Sequence, residues 1–561
     1  MRPEDLQATY CATLVDEWAR NGIVHAVVSP GSRSTPLALA LLGDARIAVH
    51  VILDERSAAF AALGIGQATG HPALVVTTSG TAAAQLHPAV IEADLAGVSM
   101  IVVTADRPPD LRDIGAAQTI DQNRLYGGSV RWFCDPGPPD EATKSAWRSI
   151  ATHGVIEAIG RRPGPVHMNI ALREPLVGTT GPLPPGRSGG RPWHHASRSV
   201  LMASSMAELD GARGIVVAGA GSVGKDVLGF AKAMGWPVLA DPCSGIRWPA
   251  SGVVAAADAL LRINEVVEVL RPEMVIRTGA PWASKVLGQW LARSGAIDVL
   301  VDPHGHVRDP YRTADVRIDR MPKPGEPAPE AWLAQWMQLE DGAQSAIDAT
   351  LSQCAGASLS EPAIARSLLA ALPDGSDLFV SSSMPIRDVE WFGAPRRGVR
   401  VLANRGANGI DGVTSTALGV ALARRGGAGL TAALLGDLAF LHDLSGLVSV
   451  ANSGAPLCLV VVDNHGGGIF EFLPQAQLVE RDAFERLFGT PQSVDVAAVA
   501  RGAGLVVKEV TSVADLITAS AGPGVVVVRT DRVANVAVHD EINDAVRVAA
   551  LAVLEASAAS S

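Results

Sequence analysis

The sequence predicts an α/β protein of three doubly wound domains with mostly parallel sheets. Two observations carry this. Short apolar runs of strand length alternate with helix-like stretches along the chain, as in parallel sheets covered by helices on both faces. Two Pro/Gly-rich breaks, residues 181–192 and 321–329, cut that alternation into three blocks, because Pro and Gly at that density continue neither a helix nor a central strand. At about 150 residues per domain, a chain of 561 residues accommodates three or four. The boundaries read from the pattern are 1–180, a linker over 181–196, 197–340, and 355–561.

In the first block, residues 23–29, 48–53, 73–78 and 99–105 read as buried strands, and residues 55–69 as a helix. Ligands of such sheets bind beyond the carboxyl ends of the strands. The loops 29–33, 53–55, 78–82 and 104–107 are therefore candidate site loops. The second block opens on the strand 214–218. The third holds strand signals at 377–381, 399–403, 431–435, 457–462 and 524–529, with a helix-like stretch at 442–451.

Composition narrows the function. Apolar residues make up 48% and charged residues 18%, with a net charge of −11. No basic run is present, which argues against a nucleic-acid partner. Cys11, Cys134, Cys243, Cys354 and Cys458 form no CxxC pair, so a disulfide framework or zinc site is not expected. The acidic N-terminus lacks an apolar signal segment. No apolar run reaches the roughly 18 residues of a membrane span. A cytoplasmic location is expected.

The strongest chemical signal lies in the third block. Gly436-Asp437-Leu438 follows one buried strand, and Asp463-Asn464-His465 with Gly466, Gly467 and Gly468 follows the next. Two adjacent parallel strands thus present a carboxylate and a carboxamide at one sheet edge, with glycines that let backbone approach a phosphate. Mg²⁺ takes few protein oxygens and completes its shell with diphosphate and water. The spacing suits a metal–diphosphate clamp, and equally suits two polar turns of an α/β protein. Glu55, after the strand 48–53, is either a first-turn acid complementing a helix dipole or a catalytic carboxylate.

Gly436-Asp437 followed by Asp463-Asn464 resembles the signature of thiamine-diphosphate enzymes, with Leu438 in place of a glycine and Asp463 in place of an asparagine. The segments SPGSRSTPLA (29–38), DERSA (54–58), TSGTAAAQLHPAV (78–90), TADRP (104–108), NRGANGIDG (404–412) and DNHGGGIF (463–470) follow in order. They closely resemble the 2-succinyl-5-enolpyruvyl-6-hydroxy-3-cyclohexene-1-carboxylate synthase family of menaquinone biosynthesis.

The resemblance implies a pyrimidine-binding first domain, a Rossmann-like middle domain and a diphosphate-binding third domain. It implies thiamine diphosphate with Mg²⁺ or Mn²⁺ as cofactors, and Asp437, Asn464 and Gly466 as metal ligands. Glu55 would sit against the aminopyrimidine, with Ser383, Ile410, Gly436, Ile469, Phe470 and Leu473 around the cofactor. The substrates implied are 2-oxoglutarate and isochorismate. Arg387 and Arg405 would hold the carboxylate of the first, while Ser32, Arg33, Arg107, Gln118 and Lys285 would face the second. Arginine suits such polyanions because its planar fork matches a carboxylate. Ala117 stands where the family has an asparagine. A homodimer or homotetramer with active sites between subunits follows from the same resemblance.

Two features point elsewhere. Gly219-Ala220-Gly221-Ser222-Val223-Gly224 follows the strand 214–218, with Asp241 after the next apolar run. In isolation this is a dinucleotide fingerprint, and its alternative is a structural turn. A nucleotide-binding oxidoreductase and an acetolactate-type thiamine enzyme are the competing functions. The set of arginines argues against a substrate with a single carboxylate. His194-His195 sits just after the linker's Pro/Gly run and reads as linker.

Overall fold

The computed structural model describes residues 1–194, 206–222, 224–306, 308–354, 359–424 and 429–560. Each block builds one six-stranded, all-parallel sheet. The first contains β1 (His25–Val28), β2 (Ala48–Val51), β3 (Ala73–Thr77), β4 (Met100–Asp106), β5 (Phe133–Cys134) and β6 (Pro165–Ala171), in the order 2-1-3-4-6-5. The second contains β7 (Gly214–Ala218), β8 (Val238–Ala240), β9 (Val253–Val254), β10 (Met274–Thr278), β11 (Ile297–Val301) and β12 (Val316–Ile318), ordered 12-11-10-7-8-9. That is the doubly wound order of dinucleotide-binding folds. The third contains β13 (Ser376–Val380), β14 (Val399–Leu402), β15 (Thr431–Gly436), β16 (Leu457–Asp463), β17 (Val507–Val510) and β18 (Gly524–Arg529), ordered 14-13-15-16-18-17. The first and third sheets therefore share one topology.

The central strands are almost wholly buried and mostly Val, Ile, Leu and Ala, as expected where helices cover both faces. By compactness the chain forms two units. One comprises Met1–Val200, Asn404–Gly426 and His442–Ala455; the other comprises Leu201–Ala403, Gly427–Leu441 and Pro456–Ser561. In the first unit, helix Glu55–Thr69 lies against helix Val413–Leu422 at a glycine-mediated crossing. A Cβ on Gly419 would stand 2.0 Å from the Ala61 carbonyl oxygen.

Two details differ from the sequence reading. The helix expected at 442–451 is Leu444–Ser453, and a further short helix, Asp437–His442, precedes it, the two parted at Asp443. Helix therefore starts at the carboxylate itself. The long helices Glu330–Cys354 and Arg532–Ser560 were not anticipated. Trp332, Trp336, Leu339, Ala343, Ile347 and Leu351 of the first, with Ile542, Val546 and Ala550 of the second, join one core with the middle sheet. That three-to-four-residue spacing is the stripe of an amphipathic helix. Cys11, Cys134, Cys243 and Cys458 form no disulfide. Among the described residues no helix is long and apolar enough to cross a membrane.

Candidate active site

The third sheet positions the proposed clamp through register. Gly436 at the end of β15 pairs with Val462 of β16, so Asp437 and Asp463 follow at the same level of the sheet edge. Asp437 is buried at 3% exposure. Its Oδ1 accepts the Leu438 N–H at 2.7 Å, and its Oδ2 accepts the Gly466 N–H at 2.8 Å. Burial, with the Asp463 carboxylate adding to it, pushes the Asp437 carboxyl up to about 6. Leu438 lies in the helix that starts at Asp437, so replacing a glycine there carries no backbone cost.

Asn464 is buried beside it. Its Nδ2 donates to Glu361 Oε1 at 2.7 Å, while its Oδ1 is buried with no partner among the described residues. An unpaired buried carbonyl oxygen costs free energy unless something ligates it. Gly466 has φ +129°, and a Cβ there would meet the Gly489 carbonyl oxygen at 1.9 Å, so only glycine fits. Open space lies beside Gly436. A buried carboxylate, an unpartnered amide oxygen and a tight glycine turn are hard oxygen donors of the kind Mg²⁺ takes, and the residues fit that ion. The described residues hold no group of three or more His, Cys, Asp or Glu side chains suited to a metal. A cation at this site would therefore draw on the Asn464 amide and main-chain oxygen as well as on Asp437.

Ile469 and Phe470 sit half-buried in the 3₁₀ turn Gly468–Phe472, with half-buried Leu473 after it. Phe470 packs on Phe488 at 5.5 Å. Ser383 adopts φ +74° at the start of helix Met384–Phe392, a conformation that non-glycine residues hold at a cost and that clusters at functional sites. Arg387, one turn on and half-buried, donates to the Ser383 carbonyl at 2.6 Å.

In the other unit, Glu55 is the first residue of helix Glu55–Thr69, and Asp54 caps it by accepting the Ser57 N–H at 2.9 Å. Glu55 is half-buried. The loop carrying Arg405 and Ile410, both half-buried, is held from below. Glu92 accepts the N–H groups of Gly406 and Ala407 at 2.7 and 2.6 Å. Gln67 donates to Asn404 Oδ1 at 3.0 Å. Burial raises the Glu92 carboxyl above its ordinary range, against the pull of those amides.

Arg33 and Arg107 follow β1 and β4. Arg33 is buried; it donates to the Leu172 carbonyl at 3.0 Å and to Glu174 at 3.1 Å. Arg107 donates to Ser79 Oγ. Burial, and then the Arg33 charge, lower the Arg107 guanidinium from its ordinary value, so the two cations feel one another. Ser32 is exposed, its carbonyl accepting the Thr35 N–H and hydroxyl. Gln118 is exposed at φ +51°. Buried Gln122, not singled out from sequence, ties these loops together. Its Oε1 accepts the Gly80 N–H at 2.9 Å, and its Nε2 donates to the Ala105 carbonyl at 3.2 Å. Glu92 and Glu361 were missed as well. For Glu92 the signal was present: Glu92 and Asp94 are carboxylates inside the apolar helix His87–Ala96, where unpaired acids are almost never buried.

Lys285 is exposed at the start of helix Lys285–Ser294 and lines a cavity of about 180 Å³ with Thr278, Trp282 and Arg308. The glycine loop of the middle sheet packs on protein. A Cβ on Gly219 would lie 1.7 Å from the Ala280 carbonyl oxygen. The Gly219 N–H donates to Thr278 and the Ala280 N–H to Ala220, at 2.8 and 2.7 Å. Close backbone approach there serves the β7–β10 switch point, the structural-turn reading. Val223 of that loop and His195 lie outside the described residues; His194 pairs with Ser149 at 3.0 Å.

Residues 9–125 match the thiamine pyrophosphate enzyme N-terminal TPP-binding domain, 188–380 the middle domain of thiamine pyrophosphate enzymes, and 393–528 the C-terminal TPP-binding domain. The 2-succinyl-5-enolpyruvyl-6-hydroxy-3-cyclohexene-1-carboxylate synthase of Thermobifida fusca is 44% identical, covering 96% of this chain and 98% of its own. The synthase so named from Myxococcus xanthus is 40% identical over 95% and 96%, and that from Geobacillus kaustophilus 41% over 88% and 89%. With this identity across nearly the whole length, the chain belongs to the 2-succinyl-5-enolpyruvyl-6-hydroxy-3-cyclohexene-1-carboxylate synthase family of thiamine-diphosphate enzymes.

Proposed function

We propose that the protein decarboxylates 2-oxoglutarate with thiamine diphosphate and joins the remaining four-carbon unit to isochorismate, a step of menaquinone biosynthesis. The observation that carries this reading is the full-length likeness to synthases of that name, together with the buried donor set at Asp437 and Asn464. When bound, thiamine diphosphate supplies the electron sink for loss of CO₂ and for carbon–carbon bond formation. Asp437, Asn464 through its Oδ1 and the Gly466 carbonyl would hold Mg²⁺ or Mn²⁺, and the glycine turn would admit the diphosphate. Glu55 would face the aminopyrimidine, where its carboxylate would favour the reactive tautomer. Arg387 and Arg405 bind the distal carboxylate of 2-oxoglutarate. Arg33, Arg107, Ser32, Gln118 and Lys285 bind isochorismate. Ile469, Phe470 and Leu473 keep water from the thiazolium side, where low polarity favours loss of charge. Ile410 and Ser383 flank the cofactor. The first, middle and third blocks act as pyrimidine-binding, supporting and diphosphate-binding domains of a cytoplasmic homodimer or homotetramer with active sites between subunits.

The test is CO₂ release from 2-oxoglutarate with thiamine diphosphate and Mg²⁺, with and without isochorismate, for wild type and Glu55→Gln. Turnover that needs cofactor and isochorismate and drops by about 10³-fold in the variant supports the reading, the scale of a lost proton-transfer group. Cofactor binding without isochorismate-dependent turnover overturns the substrates; no cofactor binding overturns the reaction.

A further inference from the structure

We propose that Glu361 is a positioning residue that fixes which end of the Asn464 side-chain amide faces the cation. This rests on the reading that Asp437 and Asn464 hold a divalent ion. A carboxamide has two nearly isosteric ends, and only the oxygen end ligates a metal. Rotation by half a turn would aim an NH₂ group at the ion and abolish the site without moving the backbone.

The surroundings of Asn464 remove that freedom. Glu361 is the first residue of helix Glu361–Ala371 and is buried at 4% exposure. Its Oε1 accepts Asn464 Nδ2 at 2.7 Å and Thr530 Oγ1 at 3.1 Å. Both bonds end on one oxygen, so Oε1 is an acceptor whether or not Oε2 carries a proton. An acceptor can meet only the NH₂ end of the amide. The other end, Oδ1, is thereby left pointing away from Glu361, buried and without a partner among the described residues. A Cβ on Gly468 would lie 2.8 Å from Asn464 Nδ2, so glycine at that position leaves the NH₂ end its room. Asp437 is held by two backbone N–H groups, whereas the orientation of Asn464 hangs on Glu361. Partners that orient metal ligands typically carry 10- to 100-fold in metal affinity.

The experiment measures Mn²⁺ affinity by electron paramagnetic resonance, with thiamine diphosphate present, for wild type, Glu361→Met, Asn464→Asp and the double variant. Methionine keeps the length of the side chain and removes the acceptor. Glu361→Met is expected to weaken Mn²⁺ about 30-fold. In the Asn464→Asp background the same change is expected to weaken it less than threefold, because a carboxylate offers oxygen at either end. Thermal unfolding without metal separates this from loss of fold, which would weaken binding equally in both backgrounds. Equal weakening in both backgrounds, or none in either, overturns the inference while the metal site stands. Absence of Mn²⁺ binding by wild type overturns both. If Glu361→Met does not fold, Glu361→Asp, which withdraws the acceptor by one methylene, carries the same comparison with the same two outcomes.

Discussion

Gly64 and Thr416 meet with no room for a side chain between them: a Cβ on Gly64 would lie 2.0 Å from the Thr416 carbonyl oxygen. Gly419 meets Ala61 in the same way from the opposite helix. Both are backbone contacts and cannot yield by rotating a side chain. Gly64→Ala is therefore expected to destabilise by about 2–3 kcal/mol, read as a lower urea midpoint. Gly229→Ala, in helix Lys225–Met234 with open space around its Cβ, is the control and is expected to leave the midpoint unchanged or slightly raised. Equal effects at the two sites would show that helix propensity, not the crossing, decides.

Glu92 supports the loop of Arg405 through two backbone N–H groups. Glu92→Ala leaves both donors without their partner, at a cost of about 2 kcal/mol. If Arg405 binds 2-oxoglutarate, that loosened loop is expected to raise KM for 2-oxoglutarate about tenfold while kcat falls less. Steady-state kinetics against each substrate in turn check this. A KM effect on isochorismate alone would contradict the assignment of Arg405.

Asp437 gives a pH dependence of known sign. Its carboxyl lies above the ordinary 3.8, pushed up to about 6 by burial. A carboxyl raised on folding stabilises the metal-free protein at low pH, and that contribution is lost as the pH rises through about 6. Metal binding has the opposite sign, because the ligand must be deprotonated. Mn²⁺ affinity is expected to be level above about pH 6 and to fall by up to tenfold per unit below it. Titrations at a series of pH values test this, and a flat profile down to pH 5 would rule out Asp437 as the titrating ligand.

The glycine loop of the middle sheet offers a separate check. Gly219→Ala places a methyl 1.7 Å from the Ala280 carbonyl and is expected to lower the unfolding midpoint. Purified wild type is expected to carry no flavin or nicotinamide absorbance. Bound dinucleotide would assign that loop a ligand after all.

The strands were readable because fully buried parallel strands are short unbroken aliphatic runs; residues 214–218 and 524–529 are strands to the residue. The helix Glu330–Cys354 was not read, although its tryptophan and aliphatic spacing was visible, because it follows directly on a Pro-rich break. Of the site, the residues on strand-end loops were legible as motifs. Glu361 and Gln122 were not, since each acts on a partner 103 or 42 residues away, and Glu92 was marked only as an acid in an apolar helix, its partner lying 314 residues off. No local pattern records a contact of that span.

The shared 2-1-3-4-6-5 order of the outer sheets makes their loops comparable one by one. The loop after the second strand carries acidic Glu55 in one sheet and basic Arg405 in the other. The fourth strand ends on an aspartate in both, Asp106 and Asp463, followed by basic Arg107 in one and neutral Asn464 in the other. One strand order thus presents different side chains at corresponding sheet edges. The order of strands is common to the two sheets, and the groups they offer to a ligand are not.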